Sequence, residues 1–290
     1  RTFFSAYIKK NKTDRYSLTL ITSTIAFIFF LSYFYVKNNY NFNIKRITEV
    51  LYNKYTLIEG ITGQMYFFFL ICALPLLPFN LATPLSALWL FIALFLEPFI
   101  LDNYSLETKV IGIFILFIVG LLIINYHHFN KGFNLKKYPN YKLGLLFLFL
   151  SSLGRGLQVT FTKKIGDDYE THELALMSFT ANLIIAILMF GYKYLFSDFR
   201  PNIDNFIYLI ISCILLNNIS IFLRFYSIKN LSENLFILIT QTSIIMSIII
   251  GYLFFKEKIV NNQFIGFIII ILSIYLLTKY EYFQYKDHKL

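Results

Sequence analysis

Charged side chains are scarce in this chain, and their scarcity excludes an ordinary water-soluble domain. Asp, Glu, Lys and Arg make up 14% of the 290 residues, whereas soluble domains carry about a quarter. Apolar residues make up 57%, and the mean hydropathy is +0.62. So few charges cannot cover a water-facing surface, and lipid is therefore the expected solvent for most of the chain.

Cysteine is also scarce, and the sequence carries no pattern of catalytic or metal-ligating side chains. Cys72 and Cys213 lie inside apolar blocks, where core packing is the expected role. They form neither a disulfide framework nor metal-ligand spacing. His127 and His128 are adjacent on a polar connection, and no phosphate-binding GxxxxGK sequence occurs. We therefore expect no enzyme, no cofactor and no ATPase, so that any transport would use a solute or ion gradient.

The abundant residues are apolar and come in long blocks. Phe236–Phe255, for example, runs for 20 residues without a charge, and about 18 such residues can cross a bilayer as a helix. The blocks lack the two-residue alternation of a membrane barrel strand, so we predict helices. Nine complete spans are expected, near residues 17–36, 60–77, 80–101, 107–126, 142–162, 173–192, 205–224, 233–255 and 263–279.

The connections between these spans are mostly short. The longest, Lys37–Glu59, is polar and is expected in the headgroup region or in water. A second polar connection, His127–Tyr141, divides the chain roughly in half. The net charge of +10 is distributed over the connections, which is typical of membrane loops and does not indicate nucleic-acid binding.

The order of the spans repeats along the chain. A shift of 154 residues places Asn80–Leu81 on Asn234–Leu235 and Lys9–Lys10 on Lys163–Lys164. Single matches between apolar helices mean little, but the shared order and spacing of the spans are harder to obtain by chance. The sequence therefore predicts an internal repeat, as transporters often have.

The repeat predicts two five-helix units, residues 1–126 and residues 142–279. The span at 142–162 aligns with the first few residues and with positions before them, so the first helix is expected to be mostly missing from a ten-helix protein. Because five is odd, equivalent helices have opposite orientations. The expected fold class is an all-α membrane protein built as an inverted repeat of two five-helix units. Lys and Arg are equally frequent on the two sides, so charge does not fix the orientation.

The stretch Ser232–Leu277 carries a resemblance to a known family. It has a long apolar span with Gly251, an acidic residue Glu257 at the membrane edge, a short polar turn at Val260–Gln263, and Gly266 opening the last helix. In these features the chain resembles the drug/metabolite transporter superfamily, in its ten-helix EamA-like branch. The resemblance implies a carrier of metabolites, amino acids, nucleosides, nucleotide sugars or drugs, with both termini usually cytoplasmic.

The first half departs from the pattern of this family in detail. Pro84 and Pro98 have no counterpart in the second half, and the acidic residue at the membrane edge is either Asp102 or Glu97. The substrate cannot be inferred from the resemblance, because the family has no diagnostic substrate motif.

Polar side chains inside the spans are the candidates for contact with a solute. A charge at mid-bilayer costs about 2.5–3.5 kcal/mol, so Arg155, between Gly154 and Gly156, should face a cavity or snorkel to the headgroups. The flanking glycines would let a neighbouring helix or ligand approach closely. Amides should face the protein interior, for solute contact or for helix packing. The candidate substrate-binding residues are Arg155, Asn182, Asn217, Asn218, Gln241, Thr240 and Trp89.

Two carboxylates lie near span ends. Glu97, just before Pro98, is a weak candidate for a coupling carboxylate and is otherwise an interface anchor. Glu257 lies between Lys256 and Lys258, where a local ion pair would explain it. Gln64, at the start of its predicted span, is expected to be interfacial.

The sequence as a whole predicts a secondary transporter of a small metabolite or drug-like solute, working by alternating access in the plasma membrane. Its expected partners are the solute and the lipid bilayer, with no nucleic acid and no metal; a homodimer stays open. Two alternatives remain, a non-transporting membrane receptor or assembly protein and a membrane-embedded transferase. The substrate, the direction of transport and the coupling ion are not predicted.

Overall fold

The computed structural model of the chain is mainly helical in the part it describes, which comprises residues 2–10, 12–37, 48, 52–101, 108–130, 138–166, 169–230, 233–257 and 261–287. Within these ranges no strand occurs. The α-helices are α1 Thr2–Lys10, α2 Arg15–Lys37, α3 Lys54–Ala73, α4 Phe79–Ser86, α5 Trp89–Ile100, α6 Thr108–Asn130, α7 Tyr141–Gly166, α8 Thr171–Phe196, α9 Phe206–Ser212, α10 Ile219–Asn230, α11 Glu233–Phe255 and α12 Asn261–Asp287. A 3₁₀ turn, Leu74–Leu76, extends α3, and a π-helical segment, Cys213–Asn218, joins α9 to α10.

Six helical stretches of the described chain are long and apolar enough to cross a bilayer. They are Arg15–Lys37, Lys54–Leu76, Phe79–Ile100, Tyr141–Gly166, Thr171–Phe196 and Phe206–Arg224. Shorter apolar helical stretches lie at Ile111–Ile124, Met246–Phe255 and Asn261–Ser273. The six long stretches coincide with six of the nine predicted spans, and the three shorter ones overlap the other three. The chain is therefore an all-α, multi-pass integral membrane protein, as the sequence predicted.

The first residue of α3 differs from the predicted one, residue 60. The helix begins at Lys54, because the Asn53 side chain accepts a hydrogen bond from the Tyr55 amide at 2.9 Å and caps the first turn. Glu59, expected in the aqueous connection, therefore lies inside a helix and is 1% exposed. Gln64, expected at the interface, is buried as well. The expectation failed because a hydropathy window discounts a helical turn that contains charged residues.

Two predicted spans are interrupted near their centres. The span Phe79–Ile100 is broken at Ala87–Leu88, between α4 and α5, and Pro84 lies in the turn before the break. A proline inside a helix removes one backbone hydrogen bond and favours such a break. The span Phe206–Arg224 contains the π-helical segment, an arrangement often found at functional sites.

Close helix packing surrounds the centre of α7. A Cβ atom on Gly154 would lie 2.8 Å from both the carbonyl oxygen of Thr62 and the amide nitrogen of Tyr66 on α3. A Cβ atom on Gly156 would lie 2.7 Å from the Ile92 side chain on α5. The predicted close approach at these glycines is confirmed, and α7 is held between α3 and α5.

We predict that Gly154→Ala destabilises the protein by about 1–3 kcal/mol, the usual cost of overpacking, because the added methyl group meets backbone atoms that cannot rotate away. Gly191→Ala is the matched control, since a Cβ atom there meets nothing within 4 Å. Thermal unfolding of the purified proteins in detergent would measure both. Equal stability of the two variants would contradict the packing described at α7.

Contacts at the helix ends define the two ends of the bundle. Near the start of α7, the Tyr138 ring lies 5.8 Å from Lys9 Nζ at the end of α1. Near the end of α7, Lys164 Nζ lies 5.0 Å from the Tyr55 ring at the start of α3. We call the end of the bundle at the start of α7 end A, and the opposite end, about 39 Å away at about 1.5 Å per residue, end B.

Candidate functional site

One face of α7 carries polar side chains through the centre of the bundle. Ser151, Arg155, Gln158 and Thr162 are separated by four, three and four residues, which places them on one face of the helix. All four are buried. The face is directed at α3, because Gln158 Nε2 donates a hydrogen bond to Glu59 Oε1 at 2.8 Å.

Arg155 lies near the middle of α7, about 21 Å from its start at about 1.5 Å per residue. The central guanidinium carbon is 4.9 Å from the centre of the Tyr66 ring and 5.4 Å from that of Trp89. Nη1 donates to Gln158 Oε1 at 3.4 Å. The side chain is 5% exposed, so it faces the interior and does not snorkel. Contacts of a desolvated guanidinium with aromatic rings are favourable by about 2 kcal/mol each.

A buried acid and a second buried base lie beside Arg155. Glu59 on α3 accepts hydrogen bonds from Gln158 and, at 3.4 Å, from the Thr162 hydroxyl. Arg224 on α10 donates to Gln158 Oε1 at 3.1 Å, and its charge acts on the Glu59 carboxylate. Gln158 therefore connects the groups, with its amide nitrogen towards the acid and its oxygen towards both guanidiniums. We call Glu59, Arg155, Gln158, Thr162 and Arg224 the polar cluster.

A cavity of about 420 Å³, including its opening, adjoins the polar cluster. Helices of both halves of the chain line it, and its polar lining comprises Thr22, Ser23, Gln64, Gln158, Asn182, Asn217 and Arg224. Gln64 Nε2 and Asn182 Oδ1 are buried there and have no hydrogen-bond partner among the described residues. A buried amide without a partner is costly, so this lining offers one donor and one acceptor to a bound molecule.

The structure brings some of the predicted candidates together and not others. Asn182 and Asn217 line the cavity, while Trp89 lies behind it against Arg155. Asn218 is fully buried in the π-helical segment and is not part of the lining. The predicted residues Gln241 and Thr240 lie on α11, but their side chains are outside the described part of the structure.

Glu97, the weak candidate for a coupling carboxylate, is not part of the cavity lining. Its carboxylate pairs with Lys163 Nζ at 2.5 Å, near the end of α7. Glu97 is thus part of an ion pair at end B of the bundle, and its side chain is fully buried.

Glu257 pairs with a residue remote in sequence. Its two carboxylate oxygens accept hydrogen bonds from the amides of Phe79 and Asn80, each at 2.8 Å, and Lys9 Nζ lies 3.6 Å away. Among the described residues, its ion pair is therefore with Lys9 and not with a neighbour in sequence; Lys258 is outside the described part. Burial raises the pKa of Tyr138 to about 12, with Glu257 adding to the rise, so the ring beside Lys9 stays neutral.

Sequence reasoning missed four members of the polar cluster: Glu59, Gln158, Thr162 and Arg224. Glu59 and Arg224 lie at or beyond the edges of their predicted spans, where charges are expected on interfaces. One sequence pattern could have revealed part of the cluster. The polar residues on α7 are spaced by four, three and four residues, which marks one polar face of an otherwise apolar helix.

Comparison with known proteins finds a family similarity in the second half of the chain. Residues 142–279, which contain almost all of α7 and the other cavity-lining helices of the second half, match the EamA-like transporter family. The finding agrees with the predicted resemblance to the drug/metabolite transporter superfamily.

The chain also has the fold of a solved protein over almost its whole length. A crystal structure described only as that of a protein covers 96% of this chain, and 94% of that chain is covered, with 16% sequence identity and a TM-score of 0.66. At this identity the likeness concerns the fold alone. No match was found among curated protein sequences.

Proposed function

We propose that the chain is a secondary transporter that carries a small polar metabolite or drug-like solute by alternating access. The observation that supports this most is the polar cluster, which places two guanidiniums and a carboxylate beside a cavity between the two halves of the chain. The plasma membrane is the proposed location, and assembly as a homodimer is left as a proposal.

The energetic cost of the polar cluster argues for a functional role. Charges inside a membrane protein are expensive and usually mark the path of a substrate or ion. Replacing a buried ion pair by apolar residues is often neutral or stabilising, so stability alone does not require Glu59 and Arg224. A solute with polar groups would contact Arg224, Asn182 and Asn217 directly, with Arg155 held against Trp89 as the neighbouring charge.

We further infer that the two halves are related by inversion. Support comes from the helix ends: α1 ends at end A, next to Tyr138, whereas α7, its predicted equivalent, ends at end B, next to Tyr55. Opposed halves around a central cavity are the arrangement on which alternating access is built.

Glu59 is a better placed coupling carboxylate than Glu97. Glu59 contacts Gln158, which also lines the cavity, whereas Glu97 pairs with Lys163 near end B. A carboxylate that shares a hydrogen-bonded amide with the solute site can respond to solute binding. We therefore propose Glu59 for proton or cation coupling and retain Glu97 as the weaker candidate.

The experiment is a solute screen by thermal shift, followed by flux measurements in proteoliposomes. Arg155→Ala should lower flux of the solute by at least about tenfold, a change in barrier of about 1.4 kcal/mol, because it removes the charge beside the cavity. Arg200→Ala is the matched control, since Arg200 is exposed outside the candidate spans, and it should keep wild-type flux.

Binding of a solute without flux would favour the receptor alternative instead. Wild-type flux through Arg155→Ala would remove Arg155 from the site. The transferase alternative gains no support: the described residues contain no group of three His, Cys, Asp or Glu side chains suited to a metal, and Asp102 and the side chains of His127 and His128 are outside the described part.

A further inference from the structure

The interrupted helix Phe79–Ile100 is linked at both of its ends to other parts of the chain by a lysine–glutamate pair. The helix consists of α4 and α5, and its break at Ala87–Leu88 precedes Trp89, the residue that packs on Arg155. A helix with a central break can bend there with little loss of hydrogen bonding. The contacts that fix its two ends therefore decide which way it can move.

The contact at end A joins three helices. Glu257, just after α11, accepts hydrogen bonds from the first amides of α4, which is favourable at the positive end of a helix. Lys9, at the end of α1, lies 3.6 Å from Glu257 and donates to the Leu77 carbonyl at 2.7 Å. The Lys9 ammonium also lies 4.9 Å from the Phe255 ring. We call Lys9 and Glu257 the end-A pair.

The contact at end B joins α5 to α7. Glu97 in the last turn of α5 pairs with Lys163, and the neighbouring Lys164 donates to the Ile100 carbonyl at 2.7 Å. We call Lys163 and Glu97 the end-B pair. Like the end-A pair, it is accompanied by a hydrogen bond from a lysine to a backbone carbonyl at the same end of the interrupted helix.

The two pairs lie at opposite ends of the bundle. Tyr138, next to Lys9, precedes the start of α7, and Lys163 lies 22 residues after Tyr141, a distance of about 33 Å at about 1.5 Å per residue. The two lysines also correspond in the sequence repeat, since a shift of 154 residues places Lys9 on Lys163. The two glutamates do not correspond in the same way. The shift of 154 residues places Glu97 on Gly251, which is six residues before Glu257. Each pair nevertheless joins a helix of the first half to one of the second.

We propose that the end-A and end-B pairs are two alternating locks, of which one opens when the solute cavity opens towards that end of the bundle. This proposal rests on the proposed transport function. The interrupted helix would pivot near Ala87–Leu88, about one turn before Ile92 and Ala93 of α5, on which Gly156 of α7 packs. Opening at end A separates Lys9 from Glu257, while the end-B pair stays closed, and the reverse movement opens end B.

The degree of burial suits reversible locks. The side chains of Lys9 and Glu257 are each 10% exposed, Lys163 is 18% exposed and Glu97 is 0% exposed. Opening of an end would admit water to its pair, and an ion pair exposed in this way contributes little net free energy. In the closed state the same pairs are shielded and hold the helices together.

The test uses a cysteine in the cavity as a reporter of access. Ser23 lines the cavity, and Ser23→Cys would be introduced after Cys72 and Cys213 are replaced by alanine. A membrane-impermeant maleimide is then applied to oriented proteoliposomes from the end-A side or from the end-B side. The rate of labelling from each side measures how often the cavity opens towards that side.

Lys9→Gln should raise labelling from the end-A side on the order of tenfold and lower it from the end-B side, as expected for a shift between two populations. Lys163→Gln should do the opposite. Lys142→Gln at end A and Lys54→Gln at end B are matched controls, because both lysines are exposed at the helix starts, and they should leave labelling unchanged.

Several outcomes separate this proposal from the proposed function. If the wild-type protein carries solute but neither Lys9→Gln nor Lys163→Gln changes the preferred side of labelling, the lock proposal is overturned and transport stands. Increased labelling from the same side in both variants overturns it equally. If the labelling shifts as expected while no solute moves in the flux screen, the locks stand and the transport proposal fails.

Discussion

Arg224→Leu should reduce the stability of the folded protein by about 3–5 kcal/mol, the typical cost of leaving a buried charge without an opposite charge nearby. The substitution leaves the Glu59 carboxylate 1% exposed without the guanidinium whose charge acts on it. It also removes the hydrogen bond that Gln158 Oε1 accepts from Arg224 at 3.1 Å. The expected result is a large fall in the unfolding temperature of the protein in detergent.

A second substitution distinguishes the loss of charge pairing from a general loss of packing. In the double variant Glu59→Gln with Arg224→Leu, no uncompensated charge remains at this position, so stability should recover most of the way to the wild-type value. Arg200→Leu, at an exposed position, should have little effect. If the double variant loses as much stability as the two single variants summed, Glu59 and Arg224 are not coupled and the polar cluster is wrongly described.

The positions of the helices could be predicted from sequence, because a long apolar block has few alternatives in lipid. Six of the nine predicted spans coincide with long apolar helical stretches of the described residues, and the other three overlap shorter ones. The break at Ala87–Leu88 was not predicted, although Pro84 is a local signal for it. The π-helical segment at Cys213–Asn218 has no proline or glycine to mark it in the sequence.

The candidate site could be predicted in part. Arg155 stood out because a single charge inside an apolar block must face a cavity or reach the headgroups. Its flanking glycines indicated close packing, which the structure confirms. Glu59 did not stand out, because it adjoins a polar connection and its burial depends on α7 and α10 packing over it. The pairs Lys9–Glu257 and Lys163–Glu97 join residues far apart in sequence, and a single sequence carries no signal for such pairing.

The central claim is that the cavity beside the polar cluster lies on the path of the solute. The cavity reporter Ser23→Cys tests it directly, because Ser23 lines the cavity together with Asn182 and Arg224. Attaching a bulky maleimide at this position should abolish flux, since the label would occupy the cavity that Ser23 lines. The transported solute should also slow the labelling reaction in a concentration-dependent way.

A cysteine outside the cavity provides the control. Ser197 is exposed just after α8, so Ser197→Cys should accept the label without losing flux and without protection by solute. The decisive measurement is solute flux in proteoliposomes before and after labelling of Ser23→Cys. The account predicts that flux falls to the level of protein-free vesicles after labelling, and unchanged flux in fully labelled protein would contradict it.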